Sequence, residues 1–212
     1  MTVFEVVLPS LKKDPAVLKE FAENIAPGFV GLLGEAGVRN GHRGYIVTED
    51  GRDQKGEYRE LLLLEWPDAK HFHDFVGSQS FADFQLKLKE TVAAGPAVLK
   101  VFDPTDDDVS AVFRPASAVL EYLVVKPKDA SPAGVQALLG KVQASLPRFG
   151  TAQVALGTSV NLEAQEIGLL SVYASDAELD AAKATAGRQQ LLADIASEAD
   201  VTSLVAQIEK VL

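Results

Sequence analysis

Apolar and polar positions along this chain change period in a regular order. VFEVV at 3–7 has the period-2 pattern of a strand. From Pro15 the period lengthens to that of a helix. Val17, Leu18, Phe21 and Ile25 share one face, Asp14 stands where a cap belongs, and Pro15 takes the first helical position. Two strand patterns follow, GYIVTED and YRELLLLEW, separated by the polar turn GRDQKGE. A helical region begins at Pro67. Its second half puts Phe81, Phe84, Leu88 and Val92 on one face, with Ser80 as the expected cap. PAVLKVF at 96–102 reads as a closing strand.

The same order then returns. VLEYL at 119–123 matches VFEVV, with Glu121 in the place of Glu5. Ser131 and Pro132 open a helix whose apolar face carries Val135, Leu138, Leu139, Val142 and Leu146. TAQVALGTSV and QEIGLLSVY form a second candidate hairpin around Asn161, and a helical region starts near Asp176. VTSLVAQIE at 201–209 closes the copy as a strand, although its pattern also suits a helix. DPTDDD at 103–108 reads as the start of a linker. The expectation is an α+β chain of two ferredoxin-like β-α-β-β-α-β units: 1–103, a linker at 104–116, and a divergent second copy at 117–212. Each unit leaves one sheet face uncovered, and two copies cover both by packing sheet on sheet into a barrel.

Composition narrows the function classes. Of 212 residues 47% are hydrophobic and 24% charged, the balance of a globular chain. A net charge of -10 argues against nucleic acid and anionic membrane surfaces as partners. No apolar run approaches a membrane span. MTVFEVVLPSL lacks the basic start of a signal peptide and reads as a first strand. The chain has no cysteine, which removes disulfides, thiolate nucleophiles and Cys-ligated metals together. A cytoplasmic location is the default expectation.

The stretch EWPDAKHFHDFVGSQSFADF, followed by AVLKVFDP, resembles the dimeric α+β barrel superfamily, nearest its antibiotic-biosynthesis-monooxygenase and stress-responsive A/B-barrel branches. The resemblance implies a fused tandem whose barrel closes within one chain. That removes the usual need to dimerise and leaves association into a homo-oligomer open. It implies a small-molecule protein with an apolar barrel cavity for an aromatic or polyketide-type compound. The implied chemistry is cofactor-independent oxygenation or a cyclase-like proton transfer, with no metal and no organic cofactor. The alternative is a non-catalytic ligand-binding or stress-associated barrel; a third reading is haem binding. Against the third, the haem-degrading branch supplies a helix histidine where this chain has Gln85. Against close cyclase chemistry, the positions that do proton work in the plant branch are Phe75 and Phe81 here.

Glu5 and Glu121 are the acid–base candidates. If Phe4, Val6 and Leu8 lie under the helices, Glu5 points into the barrel, where an apolar environment raises a carboxyl pKa. The alternative puts one or both near a barrel mouth, paired with Arg43, Arg59 or Lys126. Trp66 and Tyr173 end the third strand of each copy and, with Tyr45 and Phe72, would wall an aromatic site, or else pack the core. His42 lies in a glycine-rich stretch spanning Gly28 to Gly44. The second copy has only PRFGT at the comparable place, so this stretch is either a lid that carries His42 to a ligand or a mobile loop or loose helix extension with no chemistry of its own. His71 and His73 stand about 200° apart on a helix and are poorly placed to share a metal. No nucleotide-binding glycine motif and no nucleophile elbow is present.

Overall fold

Leu61 to Leu64 form an unbroken apolar run because both faces of their strand are buried. The computed structural model describes residues 1–106, 108–148 and 152–212; Asp107 of the expected linker and Phe149–Thr151 of the PRFGT connection lie outside the described residues. The first half runs β1 (Val3–Leu8), α1 (Pro15–Glu20), a π-helical turn (Phe21–Ile25), α2 (Ala26–Glu35), β2 (Asn40–Glu49), a stub β3 (Arg52–Asp53), β4 (Glu60–Trp66), α3 (Ala69–Val76), α4 (Gln79–Thr91) and β5 (Val98–Pro104). After a 3-10 turn at Ser110–Phe113 come β6 (Ser117–Pro127), α5 (Pro132–Ser145), β7 (Gln153–Ser159), β8 (Ile167–Tyr173), α6 (Asp176–Lys183), α7 (Ala186–Ile195) and β9 (Ala199–Lys210). The ambiguous 201–209 segment is strand.

The caps follow local chemistry. Asp14 accepts from the Ala16 and Val17 amides at 2.8 and 3.4 Å, and Ser131 from Gly134 at 3.1 Å. At α4 the cap is Ser78, not Ser80. Its hydroxyl accepts from the Phe81 amide at 3.1 Å, so the helix starts two residues earlier than the apolar pattern suggested.

The strands close a ring in the order β2-β4-β1-β5-β7-β8-β6-β9, and β9 pairs back onto β2. All pairings are antiparallel. A closed ring leaves no long edge to be managed. Its interior is packed rather than hollow. Phe4 stacks on Phe102 at 5.0 Å, and Tyr122 meets Phe102 edge-on at 6.1 Å. Val6, Leu61, Leu63, Leu120 and Leu204 join the same buried cluster. Gly168 makes room for this: a Cβ there would sit 2.6 Å from the Phe102 ring. The segment expected to be a bare linker also contributes, burying Val109, Val112 and Phe113 in the interior cluster as a plug.

The outer strand faces pack under the helices. Val7, Leu62, Leu64 and Trp66 meet α2, α3 and α4, while Leu123, Val125 and Leu169 meet α5 and α7. No helix among the described residues is long and apolar enough to cross a membrane.

Candidate active site

Strand alternation decides where each candidate points. Phe4 and Val6 belong to the interior cluster, so Glu5 between them faces outward, under the helices. This corrects the expected orientation: the larger apolar residues filled the barrel, and the carboxylate took the opposite face. Glu121 follows the same rule between Leu120 and Tyr122. The two carboxylates therefore lie in separate helix–sheet layers and do not form a pair across a cavity.

The strand register is the same in both halves. Val3 pairs with Trp66 and Glu5 with Leu64; Val119 pairs with Tyr173 and Glu121 with Ser171. The chemistry differs. Glu5 is fully buried, and the Trp66 indole N–H donates to its Oε2 at 2.7 Å. No ion pair reaches it among the described residues. Burial outweighs the indole hydrogen bond and pushes the Glu5 pKa up to about 7. Glu121 instead accepts from the buried Arg188 guanidinium at 2.5 Å and from the Ser203 hydroxyl at 3.0 Å, with Lys183 at 3.9 Å. Its basic partner comes from α7, not from the three basic residues considered as alternatives. Arg43 pairs with Glu60, Arg59 with Glu49, and Lys126 with Glu166.

Glu5 looks into a space lined by Phe29 and Leu33 of α2, Phe75 and Val76 of α3, Phe81 of α4 and Leu99 of β5. The void is about 10 Å³, room for one water molecule at most. Trp66, the hydrogen-bond donor to Glu5, packs on Phe72 and Phe75 at 6.0 and 5.6 Å between ring centres. Phe29 roofs the layer by stacking on Phe84 at 4.3 Å. Above this roof run two grooves of about 300 and 360 Å³ that share Leu32 and Ser80, between α2 on one side and α3 and α4 on the other.

The remaining candidates lie elsewhere. His42 is not on a lid. It sits in β2 opposite Leu63, faces the barrel interior and is fully buried. Its Nε2 lies 2.7 Å from the Pro115 carbonyl, which can only accept, so Nε2 carries the proton. Burial holds its pKa below the usual imidazole value. The glycine-rich stretch is likewise no loop: Gly28, Gly31 and Gly34 belong to α2, and Gly41 and Gly44 to β2. Tyr45 is on the outer face of β2 in a different groove. Tyr173 packs with Leu179 and Ala182 of α6, and burial raises its phenol pKa. Of the aromatic candidates, Trp66 reaches Glu5, and Phe72 packs edge-on against Trp66. His71 pairs with Asp68 at 2.8 Å on the exposed side of α3.

Sequence reasoning missed Phe29, Leu33, Leu99 and Arg188. Arg188 left a signal, since it shares an apolar helix stripe with Leu191 and Ile195. A cation in such a stripe implies a buried partner.

Comparison with known proteins supplies the fold. No family model matches the chain, and no curated relative does. Solved structures do match over nearly the whole length. An anthrone oxidase-like protein is 10% identical with a TM-score of 0.65, covering 98% of this chain and 90% of its own. A monooxygenase candidate from Fusobacterium nucleatum is 13% identical with a TM-score of 0.63, covering 98% and 94%. A chlorite dismutase variant from Candidatus Nitrospira defluvii is 12% identical with a TM-score of 0.58, covering 98% and 91%. The chain is an α+β protein with a closed antiparallel barrel, and its structural neighbours are of the dimeric α+β barrel type.

Proposed function

We propose that this chain is a small-molecule-processing barrel enzyme that works by proton transfer at Glu5, on an aromatic or polyketide-type compound, without metal or organic cofactor. One observation carries the reading: a fully buried carboxylate without an ion-pair partner among the described residues, its pKa pushed up to about 7, held by an indole N–H in an aromatic-walled layer. Such a group exchanges a proton near neutral pH, where a general base is most effective. In its ionised form it would take a proton from an acidic C–H or O–H of the bound ring. In an oxygenation of a benzylic CH2, dioxygen would then supply one atom to the new carbonyl while the other leaves in water. Trp66 orients the carboxylate, and Phe29, Phe75 and Phe81 exclude water. The anthrone oxidase-like and monooxygenase neighbours support the reaction class. The repeated register and the same strand order in each half support reading 1–103 and 117–212 as two ferredoxin-like units joined by 104–116.

Two rivals are answered by particular residues. A non-catalytic ligand-binding barrel is favoured by the filled interior and by the Glu121–Arg188 pair. It leaves the unpaired Glu5 without a role. Haem binding, suggested by the chlorite dismutase neighbour, does not fit the histidines. His42 faces the barrel interior, His71 and His73 lie on the exposed side of α3, and the second half has none.

The test is oxygen uptake and product formation with anthrones and polycyclic phenols in air, without added cofactor. Glu5→Gln should lower kcat by at least about 100-fold. Trp66→Phe removes a hydrogen bond that lowers the Glu5 pKa, so the rising limb of the pH–rate profile should move above about 7. Unchanged turnover in Glu5→Gln would remove Glu5 from the chemistry.

A further inference from the structure

A second apolar concavity lies on the other side of β2, away from Glu5. Pro15 and Leu18 of α1 form one wall, Ile46 and Val47 of β2 the floor, and Tyr45, Lys55 and Tyr58 the rest. Its volume is about 410 Å³, within the roughly 300–1,000 Å³ of small-molecule sites. Tyr45 and Tyr58 are 42% and 48% exposed, unusual for two large rings around one groove in a chain that buries most of its aromatics. No ring contact joins them among the described residues.

Two further features mark the groove as built. Tyr58 has φ of 51°, a left-handed backbone that a bulky side chain rarely adopts and that costs of order 1–3 kcal/mol. That conformation sets its ring beside the groove. Local charge is also biased. Around the rim, Lys13 pairs with Glu57, Arg59 with Glu49, and Arg43 with Glu60. Lys55, which lines the groove, has no ion-pair partner among the described residues and stays as a surplus positive charge on a strongly acidic molecule.

We infer that this groove is a second small-molecule site, binding a flat aromatic compound that carries one anionic group. The rings of Tyr45 and Tyr58 take the flat faces of the ligand, Leu18 and Val47 take its apolar edge, and Lys55 pairs with its anion. The site is independent of proton transfer at Glu5.

The test is a fluorescence titration of the whole protein with 8-anilinonaphthalene-1-sulfonate, a flat aromatic monoanion. Wild type should bind one equivalent saturably. Tyr45→Ala and Tyr58→Gly should each weaken binding at least about tenfold, whereas Tyr45→Phe should keep it within about twofold. Lys55→Met should weaken it about three- to tenfold and flatten its salt dependence. Glu5→Gln and Phe29→Leu, which alter the other layer, should leave it unchanged. Circular dichroism checks that each variant is folded. If Tyr58→Gly does not fold, Tyr58→Asn, a residue that tolerates the left-handed backbone, replaces it. Absence of saturable binding overturns the inference. So does binding that survives loss of both rings or responds to Phe29→Leu.

Discussion

Glu5 and Glu121 occupy the same place in their strands and lead opposite chemical lives. Arg188 reaches Glu121 from α7 and neutralises it, whereas the helices over Glu5 bring the apolar Phe29, Leu33, Phe75, Val76 and Phe81. A buried carboxyl with no cation stays protonated to higher pH. Linkage makes this measurable. The folded-state pKa of Glu5, about 7, lies above its ordinary value of 4.5. Its contribution to stability is therefore full below pH 4.5 and is lost as pH rises through 7. The loss amounts to about 3 kcal/mol at roughly 1.4 kcal/mol per unit. Glu5→Gln cannot ionise, so its stability should match wild type near pH 4.5 and exceed it by up to that amount at pH 8. Urea unfolding of both proteins across that range checks it, and parallel stability curves would refute the assignment. That Glu5 is buried was legible from its apolar strand. Which side of the sheet it faces was not, because Val3 and Val7 are as apolar as Phe4 and Val6.

At the scale of elements, α2 is one of three helices that cover Glu5. It follows a π-helical turn, contains Gly28, Gly31 and Gly34, and still lays Phe29 and Leu33 over the carboxylate. Glycine inside a helix costs about 1 kcal/mol against alanine. Nothing lies within 4 Å of a Cβ built at Gly28 or Gly31, so packing does not require either glycine. Gly28→Ala and Gly31→Ala should each stabilise by about 0.5–1 kcal/mol and raise Tm by about 1–4 °C in a calorimetric scan. A fall in Tm would mean that α2 departs from helix in solution. The strands and most helices were legible in the chain because apolar period and caps are local signals. The glycine-rich stretch suited a lid or mobile loop as well as a helix extension, because low helix propensity is also a local signal. Packing of Phe29, Leu32 and Leu33 against α3, α4 and the sheet overrides it.

For the whole molecule the decisive step is closure. β5 meets β7 and β9 meets β2, and a glycine lies at each seam. At Gly157 a Cβ would stand 2.5 Å from the Asp103 carbonyl oxygen, and at Gly44 it would fall into the Gln207 carbonyl. Gly44→Ala should therefore cost at least about 3 kcal/mol, more than ordinary overpacking, because the backbones at the seam must separate. Reduced soluble yield and a lowered urea midpoint would show it; a stability equal to wild type would mean that the seam has room for a side chain.

The order of elements, the α+β class, the matching carboxylates and the absence of thiol chemistry are properties of the sequence alone. They depend on residue type and on spacing along one element. Tertiary structure alone decided that the barrel is filled, that Val109, Val112 and Phe113 plug it, that His42 is enclosed, and that Arg188 answers Glu121 while Glu5 has only the Trp66 indole and no cation among the described residues. Each of these depends on contacts between residues far apart in the chain. A period-2 pattern with two apolar faces does not say which face turns inward until the ring has closed.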